Sequence, residues 1–239
     1  MEEKIKNFDL KTRKPKKFRI FWYFLIKFFL DFLRNLGIKS YSHRKRNVKS
    51  MRELQSEKVP EFVLLLPYAY YVVKLAQENY QKNLYTTAIH KLVYLTLAKF
   101  NEKLLSKTYE PHYYGPYSED LNQALIILTG RNYINAKRKG LIGTIYSITD
   151  KPVRKEFEKE KKEVEEIIKK VVDLTDEKEN ILDNIQKLAD LTKVHYLYRF
   201  HGLKVPEKIV KKARFLGWSL NEENVNKCLE YLRRASFIS

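Results

Sequence analysis

The sequence predicts a mainly α-helical fold with one small β-hairpin, and three observations over residues 86–150 predict it. Apolar residues recur at helical spacing in two separate segments, a β-prone aromatic run lies between them, and a hairpin pattern tipped with Lys and Arg follows. Helix, strand, helix and basic hairpin in that order form the skeleton of a winged helix. The expected architecture is therefore a winged-helix-like domain with added N-terminal and C-terminal helices.

Each element has its own local reason. Ile89, Leu92, Val93, Leu97 and Phe100 place an apolar face on a helix over 86–100. The aromatic run from Tyr109 reads as a strand that the pair Gly115-Pro116 should end. Ser118 can cap a helix with the inner face Leu121, Ala124, Leu125 and Leu128, and Gly130 should supply the left-handed residue that stops it. The hairpin arms are 133–136 and 143–149, with Lys137, Arg138, Lys139 and Gly140 at or near the tip.

Upstream, residues 60–83 read as a helix that Pro67 either kinks or starts. Downstream, residues 151–191 are almost continuously helical in pattern, with a break near Thr175 and Asp176. Val164, Ile167, Ile168, Val171 and Val172 form one apolar stripe, and Ile181, Leu182, Ile185, Leu188, Ala189 and Leu191 resume it. A solvated helical hairpin packed on the domain is the expectation there. Pro206 should start a short helix that Gly217 ends, and Asn221 should cap a last helix carrying Glu222 and Glu223 in its first turn.

The chain has 239 residues, 44% of them hydrophobic, enough for a real core. Its charge is lopsided, with 47 Lys and Arg against 29 Asp and Glu, a net +18. That favours an acidic partner: nucleic acid, an anionic membrane surface or an acidic protein. Residues 1–52 alone hold 16 Lys and Arg against four Asp and Glu, a net +12. Most of the excess thus belongs to a basic N-terminal arm, and the expected division is 1–52 as that arm and 53–239 as the domain, with core 86–150 and extension 151–239. The single cysteine, Cys228, excludes an internal disulfide framework, points to a reducing cytoplasmic setting and sits in an apolar helical pattern as a buried thiol.

Within the arm, residues 18–38 read as a helix covered by Phe21, Trp22, Phe24, Leu25, Phe28, Phe29 and Phe32, with Lys27, Asp31 and Arg34 as a narrow polar stripe. Each such charge at mid-bilayer costs about 2.5–3.5 kcal/mol, so membrane spanning is disfavoured. Three roles stay open: packing on the protein's own core or a second subunit, lying on an anionic membrane surface, or docking on a protein partner. A second basic run, Arg44, Lys45 and Arg46, follows as a linker able to contact phosphate.

At Lys91-Leu-Val-Tyr-Leu95, Tyr113-Tyr-Gly-Pro-Tyr-Ser118, residues 125–134 and Tyr146-Ser-Ile-Thr149, the chain resembles the YwgA-like family and, more distantly, the Panacea or SocA-type antitoxin domain. The resemblance covers about sixty residues. It implies a winged-helix-like, mainly helical domain and, through the antitoxin relatives, action by contact with a protein. The arm and the aromatic helix lie outside it.

A nucleic-acid surface is expected on Arg131, Lys137, Arg138 and Lys139, joined by Arg44, Lys45 and Arg46 of the arm. Asn122 and Gln123 are the side chains on the candidate recognition helix able to read base edges. Glu119 and Asp120 at the start of that helix would face phosphate unfavourably, which argues against conventional major-groove insertion. Catalysis is not expected: His43, His90, His112, His195 and His201 show no metal-ligand spacing, and no phosphate loop, dinucleotide fingerprint or nucleophile elbow is present. His90 reads as a satisfied core histidine. The leading expectation is a non-enzymatic DNA-binding protein with no cofactor, metal or small-molecule substrate, a regulator or chromosome-associated factor. The alternative is an antitoxin-like or adaptor module, or a homodimer, joined through residues 18–38.

Overall fold

The computed structural model of the protein describes residues 59–140, 143–151, 158–173, 182 and 184–239. The basic arm, with Arg44, Lys45, Arg46 and the aromatic set from Phe21 to Phe32, lies outside the described residues. The described chain is mainly helical with a small antiparallel sheet, as expected at that level.

The first helix, α1 (Glu61–Tyr80), contains Pro67 within its span, so the proline does not mark its start. It ends at Gln81, whose left-handed φ of 53° lets the next amide, Lys82 N–H, reach back to Ala76 O at 3.1 Å. A two-residue strand, β1 (Leu84–Tyr85), leads into α2 (Thr86–Phe100). Every residue of α2 from Ala88 to Leu97 is buried, so this helix has no solvent face over that span. A short helix, α3 (Glu102–Thr108), precedes a tight hairpin of β2 (Glu110–His112) and β3 (Gly115–Tyr117).

That hairpin corrects the expected single strand ended by Gly-Pro. Gly115 and Pro116 lie inside its second arm, and the turn is made by Tyr113 and Tyr114. Gly115 takes φ +97°, which an L side chain rarely adopts. Pro116 stands opposite Pro111 in the register, so two residues without an N–H face each other where the antiparallel ladder calls for no donor.

Helix α4 (Glu119–Gly130) is capped by Ser118, whose Oγ accepts from Leu121 N–H at 3.1 Å, and buries Leu121, Ala124, Leu125 and Leu128. The expected stop at Gly130 is displaced. The left-handed residue is Asn132 at φ 56°, and Tyr133 N–H bonds Leu128 O at 2.9 Å while Asn132 N–H bonds Thr129 O at 2.9 Å. Asn tolerates this conformation, and two end carbonyls are satisfied by the closure.

Strands β4 (Ile134–Lys139) and β5 (Gly143–Ile148) pair antiparallel from Ile134↔Ile148 to Lys139↔Gly143. Strand β1 joins the other edge of β5, Leu84 facing Tyr146, so the sheet order is β1-β5-β4.

The C-terminal half departs from the expected solvated hairpin. Helix α5 (Glu158–Asp173) does lay Val164, Ile167, Ile168 and Val171 against α1 and α2. Helix α6 (Ile185–His201), however, is buried continuously from Leu188 to His195 and packs beside α2. Its run of Asp190, Thr192, Lys193 and His195 hides this from a periodicity reading, because these polar residues are buried with their partners. The last helices, α7 (Pro206–Phe215) and α8 (Glu222–Arg234), cover α6. Gly217 at φ 73° and the Asn221 cap fall where the sequence predicts them, and Cys228 is buried. From the segment between α7 and α8, Trp218 Nε1–H donates to His112 O at 2.7 Å, tying the β2–β3 hairpin to the C-terminal helices. No helix among the described residues is long and apolar enough to cross a membrane.

Candidate functional site

The basic hairpin carries its cations outward. On β4 only Ile134 is buried, and Lys137, Arg138 and Lys139 are all exposed. Their register partners on β5 are Ile145, Thr144 and Gly143, so no carboxylate stands opposite them. At the base of the hairpin, Lys151 Nζ donates to Arg131 O at 2.7 Å and lies 4.3 Å from the centre of the Tyr133 ring. Thr149 Oγ1 donates to Asn132 O at 2.6 Å, which anchors the returning arm.

The helix that precedes the hairpin presents a different surface. Glu119 accepts from Tyr117 OH at 3.0 Å, and burial together with Glu61 and Glu119 raises the Asp120 carboxyl above its ordinary range. Gln123 is exposed, while Asn122 and Arg131 are half-buried. The structure thus places Lys137, Arg138 and Lys139 on one strand, Arg131 apart from them at the C-terminal end of α4, and Asn122 and Gln123 on α4 beyond an acidic first turn.

A second constellation, built around the centre of α2, is one that sequence reasoning missed. Lys91 is buried and donates from Nζ to Pro116 O at 2.7 Å. Burial, reinforced by the neighbouring Lys193, lowers its amine from 10.5 to about 7. Lys193 is itself buried and paired with Asp190 at 3.1 Å. Gly115 is required between them, since a Cβ there would meet Lys193 Cγ at 3.0 Å and Lys91 Nζ at 3.4 Å.

The two buried histidines beside this pair differ. His195 Nδ1 is 2.8 Å from Tyr94 OH, and its ring also bonds the Phe237 backbone, so both ring nitrogens are satisfied. His90 stacks on Tyr117 with ring centres 4.6 Å apart, and its Nδ1 accepts from Ser118 N–H at 3.4 Å. Its Nε2 has no hydrogen-bond partner and is the only buried side-chain N or O in that state among the described residues. The expectation of a core histidine holds for its burial and fails for its satisfaction. Burial first, then Lys91 and His112, lower the imidazole to about 3.

A cavity of about 130 Å³ opens beside these groups, between the first turn of α2 and the β2–β3 hairpin. Thr86, Thr87, His90 and Lys91 line one side, and His112, Tyr114, Gly115 and Tyr117 the other. A wider depression of about 510 Å³ near Arg214, Trp218 and Asn224 faces solvent and holds no buried titratable group. The signal that could have found the inner site was Val93-Tyr94-Leu95: three apolar residues in succession cannot share one helix face, so Lys91 and His90 had to be buried with them. Compared with known proteins, the chain matches no family model and no curated protein.

Proposed function

We propose that the protein is a non-enzymatic nucleic-acid-binding protein of winged-helix type, acting on DNA as a regulator or chromosome-associated factor, with β4 and β5 as its wing. The sheet order β1-β5-β4 carries this reading. A winged helix closes its first strand onto the returning arm of the wing, and Leu84↔Tyr146 is a pairing of that kind. In this assignment α1, α2 and α4 are the three helices of the motif, with α3 and the β2–β3 hairpin as an insertion between the second and third.

The chemistry of the wing supports a backbone-directed role. Three exposed cations on one strand, without a facing carboxylate, suit phosphate oxygens, and such contacts position a protein without reading sequence. The acidic first turn of α4 disfavours entry of that helix into a phosphate-lined groove. The wing and the basic arm are therefore the source of affinity, and the helical domain is their scaffold. A gel mobility-shift titration of the full chain with duplex DNA at low salt tests this. A complex that weakens when Lys137, Arg138 and Lys139 are replaced by Ala is the expected result, and no complex at all would contradict it.

A further inference from the structure

The cavity at the start of α2 has the chemistry of an anion site. Because His90 Nδ1 accepts from a backbone N–H, the neutral ring must carry its proton on Nε2, leaving one buried donor unused. Lys91 lines the same cavity and has spent one of its donors on Pro116 O. The first turn of α2 ends there too, and Tyr85 before it supplies no side-chain cap, so the positive end of a 15-residue helix faces the space. None of the lining residues is a carboxylate. Asp190 is engaged by Lys193 and Glu119 by Tyr117. Since one water takes up about 30 Å³ of liquid, a space of about 130 Å³ admits a single carboxylate or phosphoryl group.

We propose that this cavity binds a small oxyanion, a carboxylate or phosphoryl group, through His90 Nε2–H, Lys91 Nζ and the N-terminal turn of α2. This departs from the expectation of no small-molecule ligand and is independent of the wing, whose cations do not line the cavity. The titratable groups around Lys91 are His90 on its own helix, Lys193 from α6 with its partner Asp190, and His112, Tyr114 and Tyr117 from the β2–β3 hairpin. An oxyanion would offset the burial that lowers the lysine, so binding should be tighter where Lys91 is protonated.

The test is NMR on the isotope-labelled full chain, titrated separately with sodium acetate and sodium sulfate, the latter standing for the phosphoryl group. Sodium chloride at matched ionic strength is the control. One oxyanion should produce saturable shifts at His90 Nε2–H and at the Thr87 and Ala88 amides, and which arm saturates identifies the group. Both anions keep their charge between pH 6 and pH 8, so the affinity should fall about tenfold over that range as Lys91 loses its proton. His90→Phe and Lys91→Met should each weaken binding by about tenfold or more, the loss of one charge-assisted or buried hydrogen bond. Equal, unsaturated shifts in all three salts would overturn the proposal, as would saturable binding indifferent both to pH and to whichever variant folds.

Discussion

Lysines occupy two opposite surroundings in this protein, strand β4 of the β4–β5 hairpin and the layer between α2 and α6. Lys137 and Lys139 project into solvent from a strand that buries only its first residue. Lys91 and Lys193 are enclosed, the first on a proline carbonyl and the second on Asp190. On the hairpin a charge costs the fold little and is free for a partner. In the interior, each polar group holds its place by a particular bond, and its protonation is tied to stability. The difference teaches that charge on this chain must be read by position: the outer lysines are solvated and cost the fold little, while each inner one is held by a particular bond.

Acid is the strongest way to separate the two regions. Burial holds His90 at about 3 and His195 at about 4, against an ordinary 6.5. Between those values the unfolded chain binds more protons than the folded one, so stability is full above pH 6.5 and is lost as the pH falls through the window. Going from pH 7 to pH 5 should cost on the order of 4 kcal/mol for the two together. Urea unfolding at the two pH values checks this, and an unchanged midpoint would show that the imidazoles are not held neutral.

A smaller effect is expected from Tyr94→Phe. It leaves His195 Nδ1 buried without its donor, which costs about 1–3 kcal/mol. The urea midpoint should fall with the slope unchanged. If stability is retained, the inner layer is less dependent on specific bonds than its geometry indicates. The least effect on folding belongs to the hairpin. Replacing Lys137, Arg138 and Lys139 by Ala should change stability by only about 0.5 kcal/mol per residue or less, measured in the same way. A larger loss would mean that the hairpin is part of the folded framework and not a free surface.

The same division explains what could be read from the sequence. Ser118, Asn221 and Gly217 are caps and stops whose chemistry is local, and each falls where its neighbours predict. The inner face of α4 and the stripe on α5 are equally legible because one helix face suffices to define them. The hairpin is legible from its turn residues, but its first strand runs on through Lys139, past the expected arm 133–136, so that Lys137, Arg138 and Lys139 lie on the strand, all exposed and without alternation. Gly130 misled because Asn132 can adopt the left-handed turn as well, two residues later. Gly115 and Pro116 misled because their strand is defined by pairing with Pro111 and His112 across a tight turn. The inner site was least visible, since it depends on α6 lying against α2 roughly a hundred residues away in sequence, as in the Tyr94–His195 bond with its separation of 101. Polar residues in α6 looked like a solvated face until their partners were in place.

The claim that the wing supplies phosphate contacts meets its most direct test in the salt dependence of duplex DNA binding. Affinity of the full chain and of its Lys137, Arg138 and Lys139 to Ala variant should be measured across a range of salt concentrations and plotted on logarithmic axes. Each phosphate contact on duplex DNA contributes about 0.9 to the slope, so the variant's slope should be shallower by about 2.7. Parallel lines for the two proteins would contradict the assignment of the hairpin as the phosphate-binding wing.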